Sequence, residues 1–148
     1  MPHSWSQLEK DNPALGEQAR LRVHDRICYL STVRKDGSPR VFPVAGFIGG
    51  GSLWLFVGED SPKRFDLRND GRFALHCGVE DRSGGKGEVH ITGTAKEVTE
   101  PSQRAAAERA WPSGDAQPEW LLFELLPQSV TRTTYENTVP RRERWNGK

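Results

Sequence analysis

Residues Tyr29 to Cys77 read YLSTVRKDGSPRVFPVAGFIGGGSLWLFVGEDSPKRFDLRNDGRFALHC. Apolar runs here are short and separated by turn signals. Arg26 to Arg34 alternates and ends at Asp36-Gly37, a dipeptide that suits a tight hairpin. Arg40 to Phe47 is the expected partner strand. Its Pro43 has no N–H for a central ladder, so it predicts an edge, a bulge or a stretch flanked by something other than a strand. Gly49 to Gly51 is a flexible loop, and Leu53 to Val57 is a dense apolar strand. Ser61 then stands as an N-cap with Pro62 at the first helical position. The helix runs through Phe65, Leu67 and Arg68 to Asp70-Gly71, and another strand follows over Arg72 to Val79. The segment is a β-meander interrupted by one short helix.

Outward from this segment, Pro13 precedes a helix-forming stretch from Leu15 to Val23. Arg82 to Gly87 is a glycine-rich turn. Glu88 to Val98 alternates, with Val89, Ile91, Gly93 and Ala95 on one side and His90, Thr92 and Thr94 on the other. A second helix is expected from Pro101-Ser102 to Ala110, followed by a loop from Trp111 to Pro118. Strands are expected over Trp120 to Leu126 and Val130 to Tyr135, broken at Pro127. Many short strands with few helices predict a small antiparallel barrel, mainly β with short helices.

The chain has 148 residues and a formal net charge of +1, with two cysteines and 34% hydrophobic residues; its mean hydropathy is −0.71. That length suits one domain, residues 1–148, with residues 1–25 as an N-terminal helical arm. The balanced charge gives no electrostatic case for nucleic acid. No apolar run approaches the roughly 20 residues needed to cross a bilayer, and the first residues lack a signal-peptide pattern. Cys28 and Cys77 form no CxxC pair or disulfide framework, so the expected location is the cytoplasm.

Several groups of residues bear on chemistry. Ser61, Lys63 and Arg64 share the first turn of a helix directly after a strand. Unpaired N–H groups, a hydroxyl and two cations there suit a phosphate; the plain alternative is a capped surface helix. Arg40, Val41, Pro43 and Val44 could flank a flat ring with backbone groups, or form an exposed edge strand. The glycine clusters fit neither a P-loop nor GxGxxG and read as hairpin tips. Adjacent His76 and Cys77 point to opposite faces of a strand. With His24, Cys28 and His90 they show no zinc spacing, so no metal is expected. No G-x-S-x-G elbow supports a serine hydrolase, and no catalytic residue is assigned. Trp145 stands among Arg141, Arg142 and Arg144, where it could cover a flat ligand, dock on a partner subunit, or belong to a frayed end.

Together LSTVRKDGSPRVFPV, LWLFVGEDSPKRFDLRNDGRFALHC, GEVHITGTAKEV and LFELLPQSVTRTTYEN…RRERW resemble the pyridoxamine 5′-phosphate oxidase-like, FMN-binding split β-barrel family. The resemblance covers almost the whole chain from about Arg26. It implies an antiparallel split β-barrel and a homodimer with two flavin sites between subunits. FMN is the implied cofactor, and the implied activity is a flavin-dependent oxidoreductase acting on a small organic substrate. It carries phosphate contacts to Ser61 and Lys63, with Arg40 as a further candidate, and ring contacts to the Val41–Val44 strand. Glu88 falls near a position where the family often presents a polar side chain from the second subunit, and Trp145 would cover the site. Pro62 departs from the basic residue usual in the vitamin oxidases. The C-terminal arginine and histidine pattern that binds their substrate is also missing, which speaks against vitamin B6 activity. The same fold admits a deazaflavin coenzyme F-420 reductase, for which Lys63, Arg64 and Arg68 could meet an acidic tail. It also admits a non-enzymatic flavin- or haem-binding protein, with His76 or His90 as haem ligand. A dimer interface above ~2,000 Å² is expected, with Leu53, Leu55 and Val57 shared between core and interface.

Overall fold

A computed structural model describes residues 3–147. The elements in chain order are α1 (Trp5–Asp11), α2 (Pro13–Val23), β1 (Arg26–Val33), β2 (Pro39–Gly49), β3 (Ser52–Val57), α3 (Pro62–Asn69), β4 (Arg72–Cys77), β5 (Glu88–Glu97), α4 (Pro101–Ala110), β6 (Leu121–Glu136) and β7 (Val139–Asn146). All strand pairs are antiparallel, in the order β3-β2-β1-β4-β5-β6-β7. A further pairing of β3 with β6 closes six strands into a barrel and leaves β7 outside the closure, attached to β6.

Closure explains the alternation. Leu30, Leu75, Val89, Ile91, Leu125 and Val130 point into the barrel and are buried in one core. Leu53, Leu55 and Val57 belong to that core as well and are almost completely buried. They are therefore not available to a dimer interface, contrary to expectation. A second apolar cluster joins Phe47, Trp54 and Leu122 to Val98 and Ala107, under α4.

The Asp36-Gly37 hairpin forms as read. Gly37 takes φ +88°, and Val33 faces Pro39 across the turn. Residues 39–46 of β2 pair with β1 alone, because β3 joins β2 only over Phe47–Gly49. Pro43 thus lies on an open strand edge, where a missing donor breaks no ladder. The structure departs from the sequence reading in three places. Residues 5–11 form a helix of their own, whose Trp5 and Leu8 are buried. Pro127 does not end a strand: β6 runs through it as a bulge, with Thr92 opposite Ser129 and Gly93 opposite Pro127. Gly93 suits that bulge, since a Cβ there would run into the Leu126 carbonyl oxygen. The residues around Trp145 form β7, a full strand and not a frayed end.

Candidate functional site

The turn after β3 delivers the chain into α3 at Ser61, whose backbone is extended as an N-cap requires. Its side chain makes no capping bond. Ser61 Oγ accepts instead from Lys63 Nζ at 2.9 Å, which leaves the hydroxyl proton free to donate elsewhere. Lys63 also lies over the Phe42 ring, 4.7 Å from its centroid. No carboxylate lies within ion-pair distance of it among the described residues. Burial pushes its pKa below the ordinary lysine value. A half-buried ammonium with only a hydroxyl and an aromatic face for company is a charge awaiting an anion.

Arg40 is held differently. Its Nε donates to Asp66 Oδ2 at 2.8 Å, and Thr32 Oγ1 donates to the same oxygen at 2.7 Å. Asp66, on α3, is only 5% exposed. Thr32 and Arg40 are cross-strand partners in β1 and β2, so one buried carboxylate pins α3 to two strands. Arg40 is thereby paired within the fold. Neither Thr32 nor Asp66 stood out in the sequence. The hairpin register, which places Thr32 opposite Arg40, was the signal that could have found them. Arg64 lays its guanidinium over Phe65 at 4.2 Å, and its buried Nε has no partner among the described residues. Arg68 is neutralised by Glu97.

The β2 segment divides between two faces. Val41, Pro43 and Ala45 are exposed; Phe42 is half-buried and Val44 buried on the side that Arg40 shares. The open edge beside Lys63 thus offers backbone groups next to an unpartnered cation.

Glu88 and Trp145 are not part of this group. Trp145 is 6% exposed within the main core. Its Nε1 donates to Asp11 Oδ2 at 2.9 Å, and its ring meets His3 edge to face. Within one chain Trp145 is thus buried with its N–H satisfied, packed as a core residue. Glu88 lies on the outer face of the barrel with His76, His90, Tyr135, Arg142 and Arg144 around one cleft. Tyr135 donates to Glu88 at 3.2 Å. The rings of His76 and His90 are 6.1 Å apart. Among the described residues no three or more His, Cys, Asp or Glu side chains are arranged to hold a metal ion. None of the described helices is long and apolar enough to cross a membrane.

The chain matches the pyridoxamine 5′-phosphate oxidase family over residues 16–133. It belongs to that family. No curated protein is significantly similar. Among solved structures, a haem-binding protein from Mycobacterium smegmatis superposes with a TM-score of 0.71 at 19% identity, covering 91% of this chain and 59% of that one. PhzG from Burkholderia lata, in complex with tetrahydrophenazine-1-carboxylic acid, gives 0.63 at 17% identity, covering 99% and 88%. The haem storage protein HutZ from Vibrio cholerae gives 0.59 at 17% identity, covering 78% and 89%. At these identities the likeness is one of fold, and this chain spans about three-fifths of the M. smegmatis protein.

Proposed function

We propose that the protein is an FMN-dependent oxidoreductase acting on a small organic molecule. The observation that carries this reading is Lys63, a half-buried ammonium without a carboxylate, in the first turn of α3 beside an open strand edge. The donor set fits a phosphate monoester. Lys63 supplies the charge, the Ser61 hydroxyl a donor, and the uncapped start of α3 a positive dipole end. Asp66 and Arg40 hold α3 against the barrel so that these groups keep their places. The free backbone of β2 would border the ring. When bound, FMN supplies the redox chemistry, while the protein supplies position and electrostatics. No side chain in this group has to act as acid or base, in keeping with the absence of a catalytic motif.

Pairing of two copies belongs to the same reading. Ile27, Tyr29 and Val41 are 58%, 49% and 67% exposed. Ile27 faces Ala45, and Tyr29 faces Pro43, across β1 and β2. This outward apolar face runs up to the open β2 edge, so a second copy seated on it closes the cofactor site and the patch together. An isologous two-fold dimer is the occupant such an exposed apolar face favours. Light scattering is expected to return twice the 16.6 kDa of one chain; a monomer at micromolar concentration contradicts it. A cytoplasmic location suits the two buried free thiols, Cys28 and Cys77.

The visible spectrum of the purified protein tests the cofactor, with flavin absorbance expected. A haem spectrum would instead favour the second reading, a haem-binding protein. His76 supports that reading: its Nδ1 is engaged by the Cys77 carbonyl at 2.7 Å, which leaves Nε2 as the ring nitrogen on the outer face, 4.0 Å from Glu88. The deazaflavin alternative has less support. Its acidic tail calls for free cations, and Arg68 is already paired with Glu97.

A further inference from the structure

The one buried arginine among the described residues is Arg22, in the last turn of α2 and 8% exposed. A guanidinium carries five N–H donors and keeps its charge in a protein. Burying it is costly unless acceptors and an anion surround it. Arg22 is poorly supplied with both. One terminal nitrogen donates to the Gly78 carbonyl at 2.6 Å, but its buried Nε has no partner among the described residues. Its other terminal nitrogen lies 3.7 Å from Glu80 Oε1, beyond hydrogen-bond reach.

Glu80 is shared. Arg26 approaches the same Oε1 at 3.6 Å, and Lys86 donates to Oε2. The lysine does most to hold the Glu80 pKa below the ordinary carboxylate range. Three cations against one carboxylate leave a surplus of two positive charges, and that surplus falls on the arginines. Arg22, Arg26 and Glu80 line a pocket of about 260 Å³ together with Gly78 and, on its apolar side, Ile27 and Val79. It forms where the β1–β4 ladder runs out past Cys28 and Cys77. Ile27 and Val79 are 58% and 47% exposed. None of these residues belongs to the group around Lys63.

We infer that this pocket binds a phosphate dianion, free or as the head of a small monoester, between Arg22 and Arg26. A phosphate carries a charge of about −1.5 to −2 at pH 7, which matches the surplus. It also presents several acceptor oxygens, so it bonds both guanidinia at once, where Glu80 offers them a single oxygen out of reach. The apolar side formed by Ile27 and Val79 receives the body of an ester. Glu80 is then a competitor for the arginines, and the incoming dianion displaces it toward Lys86. The site does not depend on the flavin reading, because it shares no residue with the start of α3.

Titration of the full-length chain by protein-observed NMR tests the inference, with inorganic phosphate, phenyl phosphate and chloride as probes at constant ionic strength. The amide signals of residues 26–27 and 78–80 report on the pocket, and those of residues 61–64 on the start of α3. Phosphate is expected to shift the pocket signals saturably, with chloride inert. Arg26→Ala is expected to weaken that response about tenfold and to leave the response at residues 61–64 intact; Lys63→Ala does the reverse. Glu80→Gln removes the competitor and is expected to tighten phosphate severalfold, which a merely structural carboxylate would not do. Equal responses to phosphate and chloride overturn the inference, and so does unaltered affinity in Arg26→Ala or weakened binding in folded Glu80→Gln. Phenyl phosphate binding more tightly than phosphate identifies a monoester as the ligand, and equal affinity identifies the free ion; both support the site. The probe comparison needs no variant, so it decides the question even if a substitution prevents folding.

Discussion

Trp145 and Phe42 are both aromatic rings on strands, with cationic side chains close by. Around Trp145 everything closes: the ring is buried, and its N–H is bonded to Asp11 at 2.9 Å. Around Phe42 the structure stays open. Lys63 lies over the ring with only the Ser61 hydroxyl as partner, α3 begins without a side-chain cap, and β2 pairs with β1 alone along residues 39–46, its other edge open. The difference is in unused bonding capacity, and it separates a ring that holds the fold from one that borders the proposed cofactor site.

Substitutions should therefore split the two regions. Trp145→Ala is expected to lower unfolding free energy by about 3–5 kcal/mol, as large-to-small changes in a packed core do. Urea denaturation measures the loss, and the preference of the folded protein for FMN over riboflavin should be unchanged. A lost preference would return Trp145 to the site. Asp66→Ala comes next. It strands Arg40 and the Thr32 hydroxyl and releases α3, at a cost of about 3 kcal/mol. Because α3 also carries Lys63, FMN binding should weaken in the same variant. A stable variant with normal affinity would show that the clamp is dispensable.

Lys63→Ala should do the opposite of Trp145→Ala. Removing one charge-assisted contact, worth roughly 1.5–3 kcal/mol, weakens FMN by more than tenfold. The urea midpoint should hardly move, because a desolvated, unpaired ammonium adds little to the fold. The smallest effect is on pH dependence. The lysine pKa is lowered in the ligand-free protein by burial. The ammonium is complete below that value and is lost as pH rises through it. FMN affinity should therefore begin to fall at a lower pH than the ordinary lysine value of 10.5 would give. A binding curve flat up to that value would contradict the assignment.

How much of this could be read in the sequence depended on whether a signal was local. Asp36-Gly37 fixes a hairpin because its backbone preference is local, and Ser61-Pro62 fixes the start of α3 for the same reason. The C-terminal hairpin was not legible. Its turn places Asn137 and Thr138 at φ +51° and +67°, and a β-branched residue is a poor marker for that conformation. With the turn unseen, β7 passed for a tail. Pro127 misled because a bulge absorbs its missing donor, which depends on Gly93 across the ladder. The Ser61–Lys63 pair was legible, lying within three residues. The Asp66 clamp and the Arg22–Glu80 pocket were not, since both exist only once strand register is known.

Titration of flavin-free protein with FMN and with riboflavin tests the central claim most directly, because the two ligands differ only in the phosphate. FMN is expected to bind at least tenfold more tightly, and Lys63→Ala should abolish most of that advantage. Equal affinity for the two, or an FMN preference that survives intact in Lys63→Ala, would contradict a phosphate held at the start of α3.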